Sequence, residues 1–420
     1  MKKFLLTTAC LTLATANANA GGFQLSEYST TLIGRALAGY GVVGDDYSAA
    51  AFNPAGMTLK DSGFQAGLNV VGLHSVAKGS VDKAGLDGKS GRLEDTKAIP
   101  HFFGQYKLND KTRVGFSLFT PFGFATNYNK TWFGRTHALR SEITVIDYQI
   151  AGSYDVADNI TVGAGIAIET LSANLTNAAD SVPAAMVDGT RSKLKGNSVK
   201  PAFNAGVLYK IDDDTRIGFS YRSKVDHKIK GKHNLNLTSV WGKVSLGDDG
   251  ADLHLPEYYI LSGYHKIGDF GLSASVKWTK WSRFETLDVY SRAKSPTNPT
   301  GAKKSVGAVK EEWRDTWTLA LGTDYYYNDK LTYRAGIAFD QAGVKDAAHR
   351  TARVPDSDRL ILGIGASYKF NEKSQLDFAY SHLFMKSAHS RNQLPNGGST
   401  LNAKYNSNIN MFGIAYQYNF

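Results

Sequence analysis

The sequence predicts an all-β fold, namely a transmembrane antiparallel β-barrel of fourteen strands with a small N-terminal helical hatch plugging its lumen. Three observations predict the barrel. Apolar and small or polar residues alternate with a period of two over most of the chain, as in Phe412, Ile414 and Tyr416. The alternating segments run for about ten residues or more, whereas strands of soluble proteins average about five or six. Aromatic residues crowd the segment ends, as at Tyr325–Tyr327 and at Trp278 and Trp281, which is typical of an interfacial girdle.

The first twenty residues, 1–20, have the pattern of a cleaved signal peptide. Met1-Lys2-Lys3 is a basic start, an apolar run extends from Phe4 to about Ala16, and Ala18-Asn19-Ala20 is a small-residue cleavage site. The mature chain is therefore expected to begin at Gly21. The single cysteine, Cys10, lies inside this segment, so the mature chain is expected to have no disulfide and no thiol chemistry.

Residues 21–62 are predicted to be the hatch. This segment lacks strand alternation, and Asn53-Pro54 is a turn signal. It carries too little apolar surface to fold alone, and a barrel of fourteen strands leaves a lumen that side chains alone would not fill. The alternative is a disordered periplasmic extension, against which Phe23, Phe52 and Met57 argue because a free tail is rarely so apolar.

Residues 63–420 are predicted to form the barrel, with long and short connections in alternation. Seven long loops and six short turns place both chain ends on the periplasmic side and the long loops outside. Residues 230–251 and 291–311 are expected to be two of these loops. The predicted strands lie near 63–74, 98–108, 111–121, 141–155, 158–171, 198–210, 213–229, 252–267, 269–290, 312–327, 330–341, 357–370, 374–387 and 405–420.

The composition excludes several classes of function. The net charge is +10, but the basic residues are scattered, so we expect no nucleic-acid partner and assign the charge to loops, lumen and contact with lipopolysaccharide. No apolar stretch after residue 20 is long enough for a transmembrane helix. No catalytic or metal-binding motif occurs, so neither an enzyme nor a cofactor is expected. Arg350, Arg353 and Arg359 could bind an anionic ligand, although contact with lipopolysaccharide or plain solvation in a loop is favoured.

Several blocks of the sequence resemble the long-chain fatty-acid transporter (FadL) family, and the resemblance covers the whole mature chain. The start Gly22-Phe23-Gln24-Leu25-Ser26-Glu27-Tyr28 is followed by Gly34-Arg35-Ala36 and then by Asn53-Pro54-Ala55. Three later blocks are similar to family signatures, namely Tyr325-Tyr326-Tyr327, Gly336-Ile337-Ala338-Phe339-Asp340 and Pro355-Asp356-Ser357-Asp358-Arg359.

The resemblance implies passive transport of a hydrophobic ligand across the outer membrane. Ligand would be caught among the outer loops, pass to a pocket lined by Phe23, and leave sideways where the third strand kinks. The hatch motif Asn53, Pro54 and Ala55 would lie against that kink. Pro121 and Gly123 are the expected kink residues, because proline cannot donate to a sheet ladder and glycine marks a bulge. The alternative is a strand that ends at Pro121, with Gly123 in the outer loop.

One departure from the family pattern leaves the ligand open. The position where the resemblance implies an arginine for a fatty-acid carboxylate lies in 172–177, which has none, so Lys310 is the remaining candidate. A long-chain fatty acid is the expected ligand, with neutral or aromatic hydrophobes, a surface adhesin and a polar-solute porin as alternatives. The protein is expected to be a monomer, a multi-pass barrel in contact with outer-membrane lipid.

Overall fold

The structure is a computed structural model that describes residues 22–83, 85–180, 184–237, 242–292 and 300–420. The predicted signal peptide, 1–20, and the predicted mature N-terminus at Gly21 lie outside the described residues and stay predictions. Nearly all of the described chain is either strand or a short connection between two strands.

The described residues contain 19 strand segments, which join in a single antiparallel sheet. In chain order they are β1 (Gly63–Val81), β2 (Gly91–Lys107), β3 (Thr112–Asn127), β4 (Arg140–Ala157), β5 (Ile160–Ala178), β6 (Thr190–Lys210), β7 (Thr215–Arg222), β8 (Val225–Leu237), β9 (Gly242–Leu255), β10 (Tyr258–Ile267), β11 (Phe270–Thr279), β12 (Thr286–Ser291), β13 (Lys304–Lys310), β14 (Thr316–Tyr326), β15 (Leu331–Asp340), β16 (Arg359–Lys369), β17 (Ser374–Met385), β18 (Ala388–Gln393) and β19 (Thr400–Asn419).

Fourteen of these described segments form a closed wall, which confirms the predicted barrel. Around the ring they run β1 to β7, then β10, β11, β14, β15, β16, β17 and β19. The ring closes where β19 pairs with β1, from Gly63 opposite Asn419 to Val81 opposite Leu401. Closure satisfies the backbone groups of the first and last strands, which a bilayer would otherwise leave unpaired.

The two faces of the wall differ as the alternation predicts. Large apolar side chains point outward, and Ile150, Ile166 and Leu321 are 65%, 64% and 62% exposed. Polar side chains such as Gln149 and Glu169 are buried on the lumen side of the same strands. An apolar outside and a polar inside are what a barrel surrounded by lipid requires.

The remaining five described segments, β8, β9, β12, β13 and β18, extend the sheet beyond the wall. β8 pairs with β6 and β9, β9 also pairs with β12, and β12 pairs with β13. The prediction of plain loops over 230–251 and 291–311 was therefore wrong for the parts that form β8, β9, β12 and β13. β8 does alternate, but its apolar side chains, Val225 and Ile229, are buried and its charged ones, Lys228 and Lys230, are exposed, which is the reverse of a lipid-facing strand.

The hatch segment folds inside the barrel as short helices. α1 (Thr30–Gly34) and α2 (Ala49–Phe52) are completely buried, and a 3-10 helix, Pro54–Leu59, follows α2. The other helices are α3 (Ala184–Val187) and two 3-10 turns, Trp281–Arg283 and Pro395–Gly397. Among the described residues no helix has the length and apolarity needed to span a bilayer.

Candidate functional site

The third strand is bulged where the sequence predicts a kink. β3 pairs with β4 continuously except between Phe119 and Phe122, where Thr120 and Pro121 interrupt the register. β3 then continues to Asn127, with Gly123 opposite Thr144 on β4. The alternative of a strand that ends at Pro121 was therefore wrong.

Just before the bulge, β3 loses its other neighbour, β2. The ladder between β2 and β3 runs from Lys107 opposite Arg113 to Phe102 opposite Leu118 and stops there. Both strands are described in full, and they meet again only at a single bridge between Leu93 and Tyr128. The eight residues of β2 between these points, 94–101, correspond to an opening about 26 Å long at about 3.3 Å per residue.

The first described residues occupy the free edge of β3. The Leu25 N–H donates to the Pro121 carbonyl at 2.9 Å, and the Gly123 N–H donates to the Phe23 carbonyl at 2.9 Å. Gln24 forms an antiparallel bridge with Phe122. These bonds satisfy backbone groups that would otherwise lack partners at this depth in lipid.

The motif Asn53-Pro54-Ala55 does not lie against the kink, so that expectation was wrong. The Asn53 side-chain amide donates to the Val207 carbonyl of β6 at 3.2 Å, and its oxygen accepts from the Ala55 N–H at 3.2 Å. A Cβ on Gly163 of β5 would meet the Ala55 nitrogen at 2.5 Å, so a glycine is required for this close approach. The turn caps the 3-10 helix and packs against β5 and β6 because small residues there admit it.

Phe23 is buried at the centre of a group of five aromatic side chains. Its ring centroid lies 4.9 Å from that of Trp281, 5.4 Å from Phe124 and 5.8 Å from Trp313. The tilted and edge-on geometries are those that aromatic pairs prefer. Trp281, predicted for the interfacial girdle, is completely buried in this cluster because the chain turns inward after β11. The other two members are Phe122 and Phe284.

An apolar cavity of about 410 Å³ extends from Phe23 to the opening between β2 and β3. On the lumen side it is lined by residues such as Val71, Ile99 and Met411. Ala98 and Pro100, which flank Ile99 on the outward face of β2, line it as well. The cavity therefore communicates with both faces of the wall.

Arg353 is the basic group that the loop after β15 brings to this cavity. Its guanidinium donates to Ser141 Oγ at 3.0 Å and to Asn177 Oδ1 at 3.1 Å. Among the described side chains no carboxylate lies within ion-pair distance of Arg353, and burial lowers its pKa to about 10. The prediction that Arg353 is solvated in an outer loop was therefore wrong, because the loop folds into the barrel mouth. Arg353 itself is partly buried, whereas Arg350 and Arg359 are buried, bonded to the His389 carbonyl and to Asp340.

Lys310, the basic residue predicted to face the ligand, is exposed at the end of β13, opposite Thr286. The next residue, Glu311, is buried and accepts a hydrogen bond from Trp313 Nε1 at 3.0 Å. Burial raises the pKa of the Glu311 carboxyl to about 8, so that it is largely neutral at pH 7. The inward-facing residue of this pair is thus the acid, an arrangement that the sequence alternation of β13 did not reveal.

The rest of the hatch is tied to the opposite wall by a buried ion network. Arg35 Nη1 lies 2.7 Å from Asp45 and 3.0 Å from Asp324 of β14. Arg334 of β15 contacts the same two carboxylates, at 2.8 and 3.0 Å. Asp45 and Asp46 are therefore structural, since Asp46 accepts hydrogen bonds from the Ser29 and Thr31 hydroxyls. Among the described residues no group of three or more His, Asp or Glu side chains could hold a metal ion.

These features define a class of protein. A barrel with an apolar outer face, a lumen plugged by its own N-terminal segment and an apolar cavity through the wall is an outer-membrane transporter of hydrophobic compounds.

The chain belongs to the family described as outer membrane protein transport protein (OMPP1/FadL/TodX), whose profile matches residues 11–420. It is 30% identical to a long-chain fatty acid transport protein of Escherichia coli O6:H1, over 91% of this chain and 92% of the relative. It is also 30% identical to a 47 kDa outer membrane protein of Pasteurella multocida, over 99% of this chain and 98% of that one.

Among solved structures, a Pseudomonas aeruginosa FadL homologue superimposes with a TM-score of 0.83 at 27% identity, over 95% of this chain and 100% of that chain. The family resemblance, the outer-membrane location and the absence of an enzymatic role predicted from the sequence are confirmed by these matches.

Proposed function

We propose that this protein transports long-chain fatty acids by passive diffusion through the apolar cavity and out through the opening between β2 and β3. The observation that carries the proposal is the single cavity that joins the Phe23 cluster, the Arg353 guanidinium and the outward face of β2.

The acyl chain supplies the driving force for binding. Each methylene group that leaves water contributes about 0.8 kcal/mol, so a chain of about fourteen methylenes gains roughly 11 kcal/mol. The cavity, about 410 Å³, lies within the size range of small-molecule sites and is lined mainly by apolar groups. Phe23 and the rings around it would hold the chain.

Arg353 would bind the carboxylate. It is a partly buried cation that holds only neutral hydrogen-bond acceptors, and an arginine can bind a carboxylate with two parallel hydrogen bonds. An ionised headgroup would therefore gain a charge-assisted contact that a neutral hydrocarbon cannot make. The relatives named as long-chain fatty acid transport proteins support the same ligand class.

Exit through the wall suits this cargo. Pro121 and Gly123 would form the lateral gate, because their backbone groups are held only by Phe23 and Leu25 on the side facing β2. Movement of Phe23 and Leu25 away from this edge would widen the opening, so that the acyl chain passes into lipid without exposure to bulk water. The boundary between hatch and barrel is placed at about residue 62, because the residues before it would gate the opening and those after it form the wall.

The test is uptake and binding in cells that lack their own transporter. Arg353→Gln should weaken binding of a fatty acid about tenfold, in line with the loss of a charged hydrogen bond, and leave its methyl ester unaffected. Lys310→Ala is the matched control because Lys310 is exposed, and it should behave as wild type. Phe23→Ala should weaken acid and ester equally.

Uptake of toluene-like hydrocarbons without any uptake of fatty acid, from a folded barrel, would replace the fatty acid by an aromatic ligand. Binding at the cell surface without uptake of either ligand would favour the alternative function of a surface adhesin.

A further inference from the structure

A strongly basic groove lies on the outward face of the sheet and shares no lining residue with the cavity. Lys193 and Lys195 of β6 and Lys230 and Lys232 of β8 line it, and their side chains are all exposed. The groove has a volume of about 530 Å³. We call it the lysine groove. Transport of a hydrophobic ligand does not use it, because it faces away from the lumen.

Its height on the barrel follows from the pattern of β6. The exposed residues from Tyr209 to Val199 form the lipid-facing part of the strand, with Phe203 between them at 52% exposure. These positions span ten residue steps, or about 33 Å along the strand and about 25 Å of height at the usual tilt. This height matches the apolar band of outer-membrane barrels, so Val199 marks its outer edge.

The lysines begin directly above that edge. Asn197, opposite Lys230, is the first polar position, about 5 Å higher, and Lys195, opposite Lys232, lies about 5 Å above it. This is the level of lipid headgroups rather than of bulk solvent. The side is extracellular, because the chain ends and short turns lie at the other rim.

The groove concentrates positive charge, although one acidic residue, Asp248 of β9, is paired opposite Lys232. Lys195 and Lys232 are directly paired across the β6–β8 ladder, and like charges at such positions destabilise a sheet. Among the described side chains no carboxylate lies within ion-pair distance of any lysine in the groove. Carboxylates elsewhere on the outer face do pair, as Asp252 does with Lys303.

We infer that the lysine groove binds the phosphate groups of lipid A, the anionic lipid of the outer leaflet. Lipid is favoured over a soluble phosphate compound because the groove is continuous with the lipid-facing band of β6. Acyl chains would lie along Phe203 and Val199 while the phosphates meet the ammonium groups above them. The site would fix the height of this side of the barrel in the membrane.

The experiment compares two sets of four substitutions in the full-length protein extracted from outer membranes with mild detergent. One set is Lys193→Gln, Lys195→Gln, Lys230→Gln and Lys232→Gln. The control set changes the charge equally at exposed lysines of the periplasmic rim: Lys111→Gln, Lys330→Gln, Lys369→Gln and Lys373→Gln. Retained lipid A is measured by native mass spectrometry, and folding by heat-modifiable gel mobility.

We expect the groove set to lose about tenfold in retained lipid A and the control set to match wild type. Replacement of the same four groove lysines by arginine should preserve binding, since the positive charge remains. Inorganic phosphate at the same phosphate concentration should not displace lipid A, whereas competition by it would make the site one for free phosphate. Equal lipid A retention by the two glutamine sets would overturn the inference.

Discussion

The hatch meets the barrel wall in two very different ways. Its body is held by side chains, with Arg35 and Asp45 joined to Asp324 and Arg334 in a buried ion network. Its beginning, Phe23 to Leu25, is held to β3 by two backbone hydrogen bonds and ring contacts, and to β11 by one side-chain bond, from Thr279 to Gln24.

The difference indicates which part of the hatch can move. Separating a buried ion pair exposes uncompensated charge, so the body is expected to stay in place. Backbone hydrogen bonds have a net stabilising effect of only about 1 kcal/mol each, and ring contacts can be exchanged for contacts with an acyl chain. Residues 23–25 are thus suited to open the wall while the body keeps the lumen closed to polar solutes.

The largest effect is expected from sealing the opening. The variant combines Pro121→Val with Gly123→Val. Without the proline, every residue of β3 can donate a backbone hydrogen bond to a ladder. A Cβ at position 123 would lie 3.4 Å from Leu25 Cδ1 and 3.3 Å from the Ile143 carbonyl. Uptake of fatty acid should fall to the background of cells without the protein. Gly152→Val, on the outward face of fully paired β4, is the control. Full uptake by the sealed and folded barrel would rule out lateral exit here.

The next effect concerns the body of the hatch. Asp324→Ala leaves the guanidinium groups of Arg35 and Arg334 to share the carboxylate of Asp45. Docking of the hatch should lose about 3 kcal/mol, a factor of about 150 in its equilibrium constant. Amide hydrogen exchange across residues 30–60 should rise accordingly. Ion conductance through the opened lumen should rise as well. Asp329→Ala, at an exposed turn, should change neither. Unaltered exchange in the Asp324 variant would show that the network does not hold the hatch.

A smaller effect, of about tenfold, is expected from pH. Below about pH 8 Glu311 is largely protonated and leaves Arg353 free for a ligand carboxylate. Above that pH the negative charge of ionised Glu311 partly offsets the positive charge of Arg353, so affinity for an acid should fall about tenfold as pH rises from 7 to 9.

An alkyl sulfonate is the suitable ligand for this titration, because it stays ionised throughout. Glu311→Gln should remove the dependence. Asp356, with a pKa raised to about 7 by burial, also lines the cavity, and any dependence that survives in the glutamine variant belongs to it. A profile without any fall above pH 8 in the wild type would exclude this electrostatic effect of Glu311.

The smallest effect is expected at Asn53. Asn53→Ala removes the cap on Ala55 and the bond to Val207, with an expected cost of about 1–2 kcal/mol to the local structure. Exchange at residues 54–59 should rise, whereas fatty-acid uptake should stay near wild type because this turn does not touch the bulge of β3. Loss of uptake with an intact hatch would link the Asn53 turn to the gate after all.

The sequence anticipated the bulge at Pro121 but not what pairs with it. Proline and glycine in an alternating strand are a local signal, and local chemistry suffices to interrupt a ladder. That Phe23 and Leu25 supply the missing partners depends on where a segment about a hundred residues earlier is threaded. Likewise, which of Lys310 and Glu311 faces inward depends on the register of β13, which a shift of one residue would reverse. Arg353 reaches the cavity only because the loop after β15 folds into the barrel mouth.

The sequence by itself determined the barrel, because lipid imposes one rule on every strand: apolar side chains outward, and all backbone groups paired within the wall. It also determined that residues 22–62 would need an enclosing wall. Only the tertiary structure decided the opening between β2 and β3, the partly buried Arg353 beside it and the lysine groove outside. Each of these arises from residues far apart in the chain, and strand register, which alternation leaves free by any even number of residues, brings them together.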